Sequence, residues 1–92
     1  MRKRLKEIGL INKAVPADSL HNEVDTLTKE LSKGPTLAFG MAKKIMNKGL
    51  SMDLGSVLEC EASGQALAGT TEDAKEGVMA FLEKRKPQFK GR

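Results

Sequence analysis

The chain has 92 residues, of which 39% are hydrophobic and 30% charged, and it carries a formal net charge of +4. This composition excludes a disordered chain and suits one small folded domain or part of one. No run approaches the roughly 20 apolar residues of a membrane-spanning helix, and no signal-peptide pattern follows the basic start. The single cysteine excludes an internal disulfide, so we expect a cytoplasmic protein without membrane association.

Residues 1–16 are predicted to hold the end of a helix and one short extended piece. Arg4 to Ile8 read as a last helical turn, closed by Gly9 in the left-handed conformation. Residues 10–15, LINKAV, alternate as a strand does until Pro16 ends the pattern. No second strand can be found in the chain, so no sheet is predicted.

Two amphipathic helices are predicted next, separated by Gly34. The first is capped by Asp18 or Ser19 and has an apolar stripe formed by Leu20, Val24, Leu27 and Leu31. The second has Pro35 in its first turn and ends at Gly49. Because an interior glycine costs about 1 kcal/mol relative to alanine, Gly40 is expected to mark close helix packing.

A third helix is predicted from Ser51, as its cap, to Gly69 at its end, with Asp53 in the first turn. It is rich in Gly, Ala and Ser, so it should pack closely against its neighbours. Its inward stripe comprises Leu54, Val57, Leu58, Ala62, Gln65 and Ala66.

The fourth helix is predicted to start at Thr70 or Thr71 and to be closed by Pro87. Its first turns carry Glu72, Asp73 and Glu76, and its end carries Lys84, Arg85 and Lys86. This charge gradient matches the helix dipole. The predicted buried stripe comprises Ala74, Val78, Phe81 and Leu82.

The residues show no catalytic constellation and no metal site. His21 is the only histidine, and a single one cannot anchor a metal, so a surface position is predicted. Cys60 lies between Glu59 and Glu61, whose negative charge disfavours a thiolate, so a helix contact is predicted. The two glutamates point to different faces of a helix and do not form an acid–base pair.

The basic tail, residues 84–92, admits three interpretations. It can be a solubilising helix end, or a surface that offers cations to a phosphate and Phe81 or Phe89 to an attached base. Nucleic acid binding is the third interpretation. We expect no nucleic acid partner, because the net charge is modest, only three aromatics occur and no recognised motif is present.

Three stretches of the chain resemble the C-terminal part of the enoyl-CoA hydratase/isomerase (crotonase) family. They are EIGLINKAVPADSL, LSKGPTLAFGMAKKIM and TTEDAKEGVMAFLEKRKPQFKGR, and the last, with its T-x-D-x-x-E-G-x-x-A-F-x-E-K-R-x-P-x-F pattern, is the most specific. The resemblance implies a mainly α, four-helix C-terminal segment of a crotonase-like fold. Residues 1–16 would be the remnant of the spiral core, and residues 17–92 the helical oligomerisation domain.

The resemblance also implies where the chemistry lies. In the family the core supplies the oxyanion hole and the catalytic glutamates; none is found here, so we expect a truncated chain that is inactive alone. The terminal helix of the family completes a CoA pocket, which implies Phe81 near the adenine and Lys84 near the ribose 3′-phosphate. The expected partners are acyl-CoA and further copies of the chain, with no covalently bound cofactor. The alternative is a helical self-association module without a ligand.

Overall fold

The computed structural model describes residues 1–92 and contains helices without any β-strand. The α-helices, in chain order, are α1 (Arg2–Glu7), α2 (Leu20–Ser32), α3 (Thr36–Gly49), α4 (Leu54–Gly69) and α5 (Glu72–Leu82). A 3₁₀ turn at Ala17–Ser19 precedes α2. The predicted mainly helical class is confirmed, and residues 10–15 join no ladder. None of the helices combines the length and apolar character that crossing a membrane requires.

Residues 1–30 form one compact unit and residues 31–92 another. In the first unit, Gly9 has the predicted left-handed conformation, with a φ of +76°. Its amide donates to the Lys6 carbonyl at 3.0 Å, and the Leu10 amide donates to the Leu5 carbonyl at 2.9 Å. This bond pair is a Schellman motif and closes α1. The predicted division between residues 16 and 17 stays a prediction.

In the second unit, α3 packs along α4, and α4 contacts α5 over a shorter stretch. The close approach of α3 and α4 lies at Gly64, where a Cβ atom would come within 2.7 Å of Ile45 Cδ1. The prediction for Gly40 was wrong, because a Cβ there would meet nothing within 4 Å. Gly40 lies on an open face of α3, whereas Gly64 lies where the two helices meet.

The caps of the helices show that two predictions were wrong. Asp53, and not Ser51, caps α4: its carboxylate accepts from the Ser56 amide at 3.2 Å and from the Ser56 hydroxyl. These bonds lower the pKa of Asp53. Ser51 instead donates its hydroxyl to the Lys48 carbonyl near the end of α3. Pro35 lies one residue before α3, at the N-cap rather than in the first turn.

Candidate functional site

Helix α5 begins at a side-chain cap that the sequence predicted. Thr71 has an extended backbone, and its hydroxyl oxygen accepts a hydrogen bond from the Ala74 amide at 3.1 Å. The same hydroxyl donates to the Ala68 carbonyl at 2.7 Å, which ties the start of α5 to the end of α4. The cap therefore fixes where α5 starts, and with it the positions of Asp73 and Glu76 in the next turn.

Helix α5 ends at a lysine in the left-handed conformation. Lys84 has a φ of 54°, and it is the only non-glycine residue in the structure with a positive φ. Its amide donates to the Phe81 carbonyl at 3.2 Å, and the Arg85 amide donates to the Ala80 carbonyl at 3.0 Å. These bonds form a second Schellman motif, with lysine at the position where glycine is usual. The predicted stop at Pro87 was wrong, because the chain has already turned at Lys84.

After this turn the tail runs back along α5 and is fastened by Asp73. The Asp73 carboxylate accepts the Lys90 and Gly91 amides, each at 2.7 Å, and the Asp73 amide donates to the Arg92 carbonyl at 2.9 Å. Asp73 is only 4% exposed. A buried carboxylate needs such partners, because an unsatisfied one would be costly. Asp73 is thus a clamp for the end of the chain as well as a helix-start acid.

Glu76 makes the second attachment, one turn further along α5. Its two oxygens accept from the Arg85 guanidinium at 2.6 Å and 3.0 Å, and Oε1 also accepts from the Gln88 amide at 2.8 Å. Arg85 Nε donates in addition to Glu83 at 2.6 Å. The hydrogen bonds from Arg85, followed by that from Gln88, lower the pKa of Glu76 from 4.5 to about 2. The hydrogen bonds to Glu76 and Glu83 raise the pKa of Arg85 above its usual value.

The face of α5 that the tail covers is made of small residues. Ala80 is 1% exposed, and a Cβ on Gly77 would lie 3.6 Å from the Phe89 ring. The tail backbone can approach α5 closely for this reason. The predicted buried stripe was wrong in three of its four members, since Val78, Phe81 and Leu82 are all exposed. The tail therefore covers the face of α5 that carries Gly77 and Ala80, and not the predicted apolar stripe.

The two residues proposed from the resemblance are both accessible at the end of α5. Phe81 is 82% exposed, and Lys84 is exposed three residues later. Phe89, the other aromatic of the tail, is only half-exposed and packs on the helix at Gly77. Of the two aromatics considered for a ligand ring, Phe81 is therefore the one with a free face.

The ion pairs divide the cations of the tail into two groups. Arg85 pairs with Glu76 and Glu83, and Arg92 pairs with Glu72 at 2.9 Å. The second group comprises Lys84, Lys86 and Lys90, which take part in none of the ion pairs. A solvated lysine can attract a phosphate, and an exposed aromatic ring three residues earlier can offer a flat apolar surface to a base.

The other residues that the sequence singled out lie apart from this surface. His21 is exposed on α2, as predicted. Cys60 is partly buried and lines a groove with Met41 and Ile45, as expected of a helix contact. The structure contains no cluster of three or more His, Cys, Asp or Glu side chains that could hold a metal ion.

Sequence reasoning missed the role of Asp73 and Glu76, which it assigned to the helix dipole. A signal was nevertheless present. The two acids are spaced i, i+3 on a helix, so they share a face, and Gly77 beside them leaves room for another segment. The basic tail that follows α5 is the segment that could have been predicted to fold back onto these acids.

Comparisons with known proteins show to which family the chain belongs. The model of the family described as enoyl-CoA hydratase/isomerase matches residues 2–92. Crotonyl-CoA hydratase of Syntrophomonas wolfei is 42% identical over 83 residues, which are 89% of this chain and 32% of that protein. The 1,2-epoxyphenylacetyl-CoA isomerase of Escherichia coli is 37% identical over 86 residues, 94% of this chain and 33% of that protein.

Among solved structures, an enoyl-CoA hydratase from Polaromonas sp. JS666 superposes on 96% of this chain and 34% of its own, with a TM-score of 0.89 and 30% identity. The chain therefore belongs to the enoyl-CoA hydratase/isomerase family. It has the fold of the third of a crotonase structure on which it superposes. It spans about a third of the length of the curated relatives it matches. Membership does not favour the alternative of a ligand-free assembly module.

Proposed function

We propose that residues 17–92 act as the C-terminal helical domain of an enoyl-CoA hydratase/isomerase and that Phe81 and Lys84 supply part of a CoA-binding surface. The observation that carries the proposal is the left-handed Lys84, exposed and outside every ion pair, three residues after an exposed phenylalanine. Left-handed backbone costs about 1–2 kcal/mol for a residue with a Cβ. Strain of this kind collects at functional positions.

The relatives support CoA as the ligand rather than a particular acyl group. One is named for crotonyl-CoA and the other for 1,2-epoxyphenylacetyl-CoA, so their acyl parts differ while the CoA part is common to both. A surface lysine and an aromatic face suit the phosphate and the adenine that every CoA thioester carries. For a full-length protein that contains this domain, we propose the hydration or isomerisation of an acyl-CoA thioester.

A titration with CoA tests this surface. We expect weak binding to the 92-residue chain, weakened about threefold to tenfold by Lys84→Ala, because one charge-assisted contact to phosphate is lost. Lys3→Ala removes an equal charge from the exposed start of α1 and should leave the affinity unchanged. Equal losses in the two variants, or no binding at millimolar CoA, would contradict the proposal.

We further propose that the chain contributes subunit contacts. Large apolar side chains lie open to solvent in the second unit, with Leu50 89% and Leu54 74% exposed. Large exposed apolar patches usually mark association. Light scattering at increasing concentration should show a dimer or a larger species; a monomer at high concentration would speak against this role.

We do not expect turnover by the chain alone, because the family resemblance places the oxyanion hole and the catalytic glutamates in the spiral core and not in the helical segment. The measurement is the hydration of crotonyl-CoA by purified chain free of full-length enzyme. Activity well above background that follows mutation of the chain's own carboxylates would overturn this expectation.

A further inference from the structure

We propose that Glu76 and Arg85 are positioning residues that hold Lys84 in place for the ribose 3′-phosphate of CoA. The inference rests on the proposed function and adds a role for two residues that need not touch the ligand. The inference connects the attachment of the tail at Glu76 with the proposed CoA-binding surface at Phe81 and Lys84.

The first support is the covalent neighbourhood of Lys84. Arg85 directly follows Lys84, and its guanidinium is fixed by both oxygens of Glu76 and by Glu83. The Gln88 amide is bound to the same Glu76, three residues further on. The turn at Lys84 is therefore held between α5 on one side and a fastened tail on the other.

The second support is the strain of that turn. A non-glycine residue keeps a left-handed φ only where its surroundings determine it. The Schellman bonds at Phe81 and Ala80 supply part of that restraint, but they would also form with a more mobile tail. The bidentate pair adds directionality, since a guanidinium and a carboxylate meet in one fixed plane.

The third support is the division of charge. Arg85 lies between two carboxylates, so its charge is largely compensated where it stands, whereas Lys84 has no such partner. An anion that approaches the end of α5 therefore meets Lys84 as an uncompensated cation, as Lys86 and Lys90 of the tail also are, whereas Arg85 and Arg92 are paired. Glu76 thereby also keeps Arg85 from competing for the phosphate.

Variants that conserve charge test the positioning role. Glu76→Asp and Arg85→Lys leave the net charge unchanged. Arg85→Lys removes the forked guanidinium, and Glu76→Asp withdraws the carboxylate by one methylene group, so both weaken the two-point contact. The affinities for CoA and for 3′-dephospho-CoA are measured by isothermal titration calorimetry for each variant and for Lys84→Ala. Matched controls are Glu59→Asp on α4 and Arg2→Lys on α1, both at exposed positions.

We expect the parent chain to prefer CoA over 3′-dephospho-CoA and Lys84→Ala to lose that preference. Glu76→Asp and Arg85→Lys should reduce it about threefold, a typical share for one oriented surface charge, with the affinity for 3′-dephospho-CoA unchanged. The controls should retain it. A role in stability alone would weaken the binding of both ligands equally.

Three outcomes overturn the inference. If both positioning variants keep the preference that Lys84→Ala loses, the inference is wrong and the proposed function stands. If the parent chain shows no preference for CoA, the proposed function and the inference are both wrong. If circular dichroism shows both variants unfolded, the pair is a requirement of folding and not a positioning device.

Discussion

Glu76 and Arg85 lie nine residues apart and form a bidentate ion pair, with the guanidinium nitrogens 2.6 Å and 3.0 Å from the carboxylate oxygens. The pair spans the turn at which α5 gives way to the tail. Together with Asp73 it converts a basic chain end into an ordered segment.

Attachment of the tail should depend on pH through Glu76. Its pKa is lowered in the folded state from 4.5 to about 2, so the folded state favours the ionised form. The resulting stabilisation is fully present above pH 4.5 and is lost as the pH falls towards 2. The Gln88 amide resonance, followed by NMR from pH 7 to pH 2, should report release in that window. In Glu76→Gln this transition should disappear; its persistence would assign it to another carboxylate.

Replacement of Lys84 by glycine should stabilise the fold. Glycine adopts a positive φ without the steric cost that a Cβ imposes, and this offsets its greater freedom in the unfolded chain. We expect the free energy of unfolding, measured with urea, to rise by up to about 1 kcal/mol. Lys86→Gly, at a position without a positive φ, should lower it. A loss of stability in Lys84→Gly would contradict the assigned strain.

Asp73→Asn should loosen the end of the chain. The carboxylate accepts two backbone amides, whereas a carboxamide can offer only one oxygen and would turn its own donor group towards the other amide. An unsatisfied buried group costs about 1–3 kcal/mol. Hydrogen exchange at Lys90 and Gly91 should accelerate. Asp25→Asn, at an exposed site on α2, serves as the control, and equal exchange in both variants would exclude the clamp.

Two glycine-to-alanine changes should separate open from packed positions. Gly40→Ala should gain about 0.5–1 kcal/mol of stability from helix propensity, since nothing lies within 4 Å of the new Cβ. Gly64→Ala should gain less or lose stability, because Ile45 Cδ1 at 2.7 Å must move. Urea denaturation gives the free energy of unfolding of both variants. A more stable Gly64→Ala than Gly40→Ala would contradict the packing of α3 on α4.

The helices of this protein were largely predictable, because their signals are local. Apolar periodicity, the cap at Thr71 and the left-handed Gly9 each depend on a few neighbouring residues. The predicted cap of α4 was wrong. Asp53 and not Ser51 caps α4, because its carboxylate reaches the Ser56 amide. The mainly helical class and the family resemblance were likewise evident in the chain itself.

What only the tertiary structure decided is where the tail goes. The sequence shows acids at the start of α5 and cations after its end, and the helix dipole accounts for both without any contact between them. Only the three-dimensional path brings Lys90 and Gly91 onto Asp73, and Arg85 onto Glu76. These contacts join residues 9 to 18 positions apart. No local propensity encodes such separations, because they depend on the turn at Lys84 and on the space left by Gly77.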